Sequence, residues 1–200
     1  MRFAKLLMAL FLINSATVST ADQTDNRLGS LIERLKEVEI HDVARSVTPE
    51  ILSIWLDSDD GVSDELIRRG VEAMCARRHD LALNQIDSLV KHESNSAEGW
   101  NKRATVLYAL GQFQWSINDI KRVFALEPRH FGALSCLGMC YEALGEEEAA
   151  RDACKLALNA NPHLSRIREK IGHLQEQVRR ENIHYIDNIF EKRDRLSHNL

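Results

Sequence analysis

Apolar and small side chains fall into a single register along the middle of this chain. Leu66, Trp100 and Leu134 stand 34 residues apart, and so do Gly70, Ala104 and Gly138. Ala82, Ser116 and Ala150 follow at the same step, then Ile86, Ile120 and Cys154, then Leu89, Val123 and Ala157. The last slot holds Ser94, Pro128 and Pro162. Within each period the pattern predicts two helices of about 14 residues, the second folded back on the first. Gly111 and Gly145 mark the inter-helix turns, where a left-handed residue is welcome. The first unit has Arg77 there and Ser94 in place of proline, so it is the most degenerate of the three. A unit of this kind buries its apolar face only by stacking on the next, which predicts a solenoid. A fixed period with no catalytic constellation inside it points to a surface that binds.

The flanks extend the helical pattern. Leu28, Leu31, Ile32, Leu35 and Val38 form one apolar stripe at three- and four-residue steps. Thr48-Pro49-Glu50 reads as an N-cap with proline at the first helical position, opening a short helix that carries Ile51, Leu52, Ile54, Trp55 and Leu56. Apolar residues surround that helix, which predicts burial between the first pair and the repeats. Asp57-Ser58-Asp59-Asp60-Gly61 breaks the pattern. Beyond Pro162, Ile167, Ile171, Leu174 and Val178 make a narrow stripe suited to a helix that caps the last unit. Ile183, Ile186, Ile189 and Phe190 continue toward a charged, frayed end over 194–200, a tail that either docks on the body or serves a partner, with docking favoured. The expectation is an all-α helix-turn-helix solenoid with an N-terminal helical pair and a C-terminal capping helix. Its segments are 1–21, a signal peptide; 22–62, N-terminal helices and acidic linker; repeats at 63–96, 97–130 and 131–164; and 165–200, capping helix and tail.

The first segment changes the picture of where the protein works. Arg2 and Lys5 precede the apolar run Leu6 to Ile13, which is too short to span a bilayer, and small polar residues follow to Ala21. Ser19 and Ala21 suit a cleavage site that leaves a mature chain beginning at Asp22. An uncleaved first helix is the alternative. The reading is an exported, periplasmic protein with no stable membrane insertion once the signal is removed. Net charge is −4, and loss of Arg2 and Lys5 makes it −6. So acidic a chain is a poor ligand for phosphate backbones, and nucleic acid is excluded as a partner.

With the register in place, the chain resembles the tetratricopeptide repeat family. That motif wants Trp or Leu at position 4, a small residue at 8, an aromatic at 11, Gly at 15, Ala at 20, a large residue at 24, Ala at 27 and Pro at 32. The third unit matches with Leu134, Gly138, Tyr141, Gly145, Ala150, Ala157 and Pro162, departing at Cys154. The second matches with Trp100, Ala104, Gly111 and Pro128, and the first keeps Leu66, Gly70, Ala82 and Leu89. The segment from Ala97 to Leu134 is also similar to a group of small repeat proteins in alphaproteobacteria, in agreement with export. The resemblance implies a concave groove lined by the first helices. It places there Ile67, Val71 and Met74, then Asn101, Thr105 and Tyr108, then Ser135, Met139 and Glu142, with Asp64, Cys75, Glu98, Ala109, Gly132 and Ala143 beside them. Such a groove is apolar at one end and mildly acidic further along, suited to an amphipathic helix or an apolar peptide with basic flanks. The helix from Leu28 to Val38 could also fill it. One subtype of the family clamps C-terminal carboxylates, but the matching positions hold Ile67, Val71, Lys102, Gly132 and Cys136. One cation does not make a clamp.

Candidate chemistry adds little. Cys136 and Cys140 lie four apart on one helix, yet no matching His or Cys pair completes a zinc set. They and Cys154 read as small buried hydrophobes, with a disulfide from Cys154 to Cys136 or Cys140 as the alternative. Taken as a calcium loop, 57–61 puts glycine one residue early and Arg68 where a bidentate Glu is needed. The eight histidines are scattered, and neither H-E-x-x-H nor a glycine-rich phosphate loop occurs. The sequence therefore predicts no cofactor, no metal and no enzyme, but a protein-interaction module for a protein or peptide partner. The alternative is an envelope scaffold that self-associates through its terminal helices.

Overall fold

The computed structural model describes residues 25–38, 41–57 and 60–197, so the expected signal peptide lies outside the described residues. The described chain is all-α. A hairpin of α1 (Asn26–Glu37) and α2 (His41–Leu56) precedes three antiparallel pairs. These are α3 (Gly61–Cys75) with α4 (His79–His92), α5 (Ala97–Ala109) with α6 (Phe113–Leu126), and α7 (Phe131–Ala143) with α8 (Glu147–Ala160). A long helix, α9 (Ser165–Ser197), packs on α8. The pairs stack in chain order, each second helix against the next first helix.

Local chemistry alternates with the register. Among the first helices, side chains cap the N-termini: Asp60 Oδ1 accepts from Val62 N–H at 3.0 Å, Ser96 Oγ from Gly99 N–H at 3.1 Å and His130 Nδ1 from Ala133 N–H at 3.1 Å. The second helices α4, α6 and α8 have no side-chain cap. Each instead follows a left-handed residue: Arg77 at φ 56°, Gly111 at 74° and Gly145 at 72°. Glycine enters that region freely, whereas arginine does so at a cost of about 1 kcal/mol.

The stacking faces beyond the first unit are mostly apolar, with Arg103 of α5 as a charged exception that pairs with Asp87 of α4 and Asp119 of α6. Val106 on α5, Leu137 and Cys140 on α7, and Leu174 on α9 are buried against the preceding pair. The corresponding places on α3 hold Arg69 and Glu72, which are exposed and tied into an ion-pair network with Arg68 and Glu65. The first unit thus carries its own polar end. It does not need the hairpin as a cap, and the hairpin packs elsewhere.

The flanking elements differ from expectation in their bounds. The helix expected to open at Thr48 begins at His41, with Pro49 inside it. Proline removes one helical hydrogen bond, but Ala44, Val47, Ile51, Ile54 and Trp55 are all buried, and that continuous apolar face carries the helix through. The helix carrying Ile51, Ile54 and Trp55 is buried between α1 and the repeats, and the repeats it meets are the second and third. The hairpin core of Leu28, Leu31, Ile32, Leu35, Val47, Ile51 and Trp55 joins Phe131, with Ala160 and Leu164 packed alongside, at the edge of the second and third units. The tail is helical to Ser197, and Ile183 and Tyr185 on it are 48% and 67% exposed, while 198–200 lie outside the described residues.

Cys136, Cys140 and Cys154 are buried free thiols, and Cys75 is an exposed one. The Cys140 thiol donates to Ser116 Oγ at 3.3 Å, and that hydroxyl donates to the Ala104 carbonyl at 2.8 Å, which satisfies a small polar knot where α5, α6 and α7 meet.

Candidate groove formed by the first helices

The first helices α3, α5 and α7 stand side by side, and their groove positions differ sharply in what they offer. On α3, Val71 is 40% exposed, with Ile67 and Met74 half-buried next to it. On α5, Tyr108 is half-buried with its ring centroid 5.5 Å from that of Phe113. Burial pushes its phenol pKa up, so the hydroxyl keeps its proton. Met139 on α7 is half-buried as well. Thr105 and Ser135 spend their hydroxyl protons on their own helices, donating to the Asn101 and Phe131 carbonyls at 2.9 and 2.8 Å. They offer a partner lone pairs only.

Asn101 is not open to a ligand: it is only 8% exposed, and its amide donates to Glu98 Oε2 at 2.9 Å. The cause is a closed cluster. His130 accepts at Nδ1 from the Ala133 N–H, so its Nε2–H faces Glu98 Oε2 at 2.9 Å. Lys102 Nζ reaches the other oxygen at 2.7 Å. Trp55 from α2 stacks on the His130 ring, centroids 4.1 Å apart and planes within 13°. Burial pushes the Glu98 carboxyl up, but the His130 hydrogen bond and the Lys102 charge outweigh it and hold the group at about 2.

The two carboxylates of the expected acidic stretch therefore differ in access. Glu98 is sealed and neutralised, and Glu142 pairs with Lys170. Lys102, the one cation at the carboxylate-clamp positions, is committed to Glu98. Nor does the Leu28–Val38 helix fill the groove, because its buried stripe joins α2 and Phe131. It is α2, through Trp55, that reaches the first-helix side, over the N-terminal turns of α5 and α7.

The sequence reading missed a further wall. Stepping 34 residues on from Gly132, Ser135 and Met139 leads to Arg166, Glu169 and His173 on α9. With Glu142, Lys170, Gln177 and Arg180 these line a cavity of about 490 Å3. The 34-residue step carries this signal, whereas the apolar stripe on the helix predicts only a cap. The Trp55–His130 stack had no signal, since it joins residues 75 positions apart in sequence without any shared period. Among the described residues, no group of His, Cys, Asp and Glu could hold a metal ion, and no helix is long and apolar enough to cross a membrane.

Comparison with known proteins agrees with this architecture. No family model matches the sequence. A TPR repeat-containing protein from Rhizobium etli is 31% identical over 152 residues, which span 76% of this chain and 74% of the relative. The TPR domain of Sgt2 from Aspergillus fumigatus superposes with a TM-score of 0.59 at 18% identity, covering 62% of this chain and 83% of that domain. The first TPR of Spaghetti, solved with the HSP90 peptide SRMEEVD, gives 0.57 at 18% identity over 60% of this chain and 95% of its own.

Proposed function

Because the chain belongs to the tetratricopeptide repeat proteins, we propose that it is a non-enzymatic interaction module that takes a peptide or an amphipathic helix in the groove of its first helices. The observation that carries this reading is the line of partly open apolar side chains Val71, Met74, Tyr108 and Met139 along three successive helices. The Spaghetti domain, bound to a peptide, gives the mode a precedent in this fold. The ligand differs from one held by its terminal carboxylate, since no free cation stands at the clamp positions. Apolar contact along α3, α5 and α7 would supply the affinity.

The module works outside the cytoplasm in this reading. Support comes from the charged, apolar and small-residue order of 1–21. Mass spectrometry of the protein from its own cells should find a mature chain beginning at Asp22. For the groove, Met74→Glu and Tyr108→Ala should each lose partners that wild type captures from periplasmic extract. If both variants keep every wild-type partner, the groove is not the site.

A second reading is a self-associating envelope scaffold. It draws on Ile183 and Tyr185, exposed on the part of α9 beyond the body. A mass by light scattering that stays monomeric across concentration rejects it.

A further inference from the structure

The hairpin covers part of the groove without being built into the solenoid. It is joined to the chain ahead of the first unit, yet it lies against the second and third. Most of its core is its own: Leu28, Leu31, Ile32, Leu35, Val47, Ile51 and Ile54 bury one another across α1 and α2. The solenoid contributes Phe131, with Ala160 and Leu164 at the rim, and His163 Nε2–H donates to the Leu35 carbonyl at 3.1 Å. Trp55 reaches furthest, onto His130.

This seam is incompletely filled. A cavity of about 180 Å3 remains where Ile32 and Lys36 of α1 face Pro128, Arg129, Leu134, Leu156, Asn159 and Ala160. The Trp55 indole N–H is buried with no acceptor among the described residues. Unfilled volume forfeits contact energy, and an unpaired buried donor costs free energy of its own. An element with a sound internal core and a poor seam opens as a unit at a cost below global unfolding.

We propose that the α1–α2 hairpin is a displaceable lid, which in the closed form seals Glu98 and Asn101 and opens to lengthen the groove across the second unit. The proposal rests on the groove reading for its purpose, but its physical content is the opening itself. When Trp55 leaves His130, Asn101 and the face of α5 around it join the path from Met74 to Met139. A partner that reaches this face competes with the chain's own Trp55, so closure sets a threshold for binding.

Thiol labelling tests the opening with no partner present. In a Cys75→Ser background, Asn101→Cys places a thiol under the lid, while Cys136, Cys140 and Cys154 remain in the core and report global unfolding. With iodoacetamide, the introduced thiol should react well ahead of the three core cysteines. Its rate should rise with urea less steeply than theirs. Adding Trp55→Ala should speed it by roughly tenfold or more, with amide protection over 97–160 unchanged. Reaction of the introduced thiol only in step with the core cysteines overturns the lid. If Trp55→Ala proves unstable, the urea dependence in the Trp55 protein decides alone. A lid that opens although Met74→Glu and Tyr108→Ala keep every partner would leave this inference standing and the groove reading refuted.

Discussion

At the scale of single residues, the register works through close approach. A methyl group at Gly138 would sit 2.6 Å from Cys154 Sγ and 3.2 Å from the Ala150 carbonyl oxygen, inside the seam between α7 and α8. The cysteine at the large-residue slot therefore answers the glycine opposite it. Gly138→Ala gains about 1 kcal/mol of helix propensity but should still destabilise by about 1–3 kcal/mol through overpacking. Cys154→Ala opens room, so the double variant should recover most of that loss. Urea unfolding of the four proteins measures the coupling, and additive effects would show that the two side chains do not meet. Glu98 gives a second expectation. Its carboxyl is held at about 2, below its ordinary 4.5. A depressed carboxylate stabilises in full above pH 4.5, and that contribution is lost as pH falls through 2. Glu98→Gln should cost about 1–3 kcal/mol at pH 7, because Lys102 and His130 lose a charged partner. The gap to wild type should narrow between pH 4.5 and 3, as urea midpoints at each pH would show.

At the scale of elements, one helix position seals a seam or stays wet according to the partners it finds: Arg103, at the slot of Arg69 and Leu137, is held in its seam by Asp87 and Asp119. Val106, Leu137, Cys140 and Leu174 seal the seams between neighbours, whereas Arg69 and Glu72 keep the outer face of α3 wet. The ion pairs there are exposed and contribute little stability. Their effect is to stop the solenoid from acquiring another unit. Replacing them with Arg69→Leu and Glu72→Val would give α3 the stacking face of α7. Association should then depend on concentration, seen as a rising mass in light scattering, with helix content by circular dichroism unchanged. Much of this level was legible beforehand, since the 34-residue step names the seams and the turns. What was not legible came from non-periodic burial. Pro49 reads locally as a helix start, yet Ala44 and Val47 before it and Ile51 after it share one buried face, and tertiary packing overrides the local sign.

At the scale of the molecule, the chain is a short solenoid with two appendages whose attachments differ in kind. The hairpin site on the second and third units could not be read from sequence, because Trp55–His130 and Leu35–His163 pair residues of unrelated register. The appendages border the first-helix face, Trp55 over the His130–Glu98 cluster and α9 beside Glu142, and neither lies at a position that the resemblance names. The attachment of α9 can be cut at a chosen point. Ile167 and Leu174 are buried with Cys154 and Ala157 of α8, and Ile171 is half-buried among them. Val178 is half-buried, and from Arg179 to Glu181 and again from Ile183 to Tyr185 the side chains are exposed. The helix therefore has a working part that seals the third unit and a projecting part that does not. In a nearest-neighbour stack, removing a capping interface weakens the last unit first, while removing residues outside it changes nothing. Ending the chain after Asn182 should leave the thermal midpoint within about 2 °C of the full chain. Ending it after Leu164 exposes Cys154 and Ala157, and should lower the midpoint by about 5 °C or more, with amide exchange in α7 and α8 rising before that in α3 to α6. Equal midpoints for the two truncations would mean that α9 is not a cap. A large loss on cutting after Asn182 would mean that the projecting segment packs on the body.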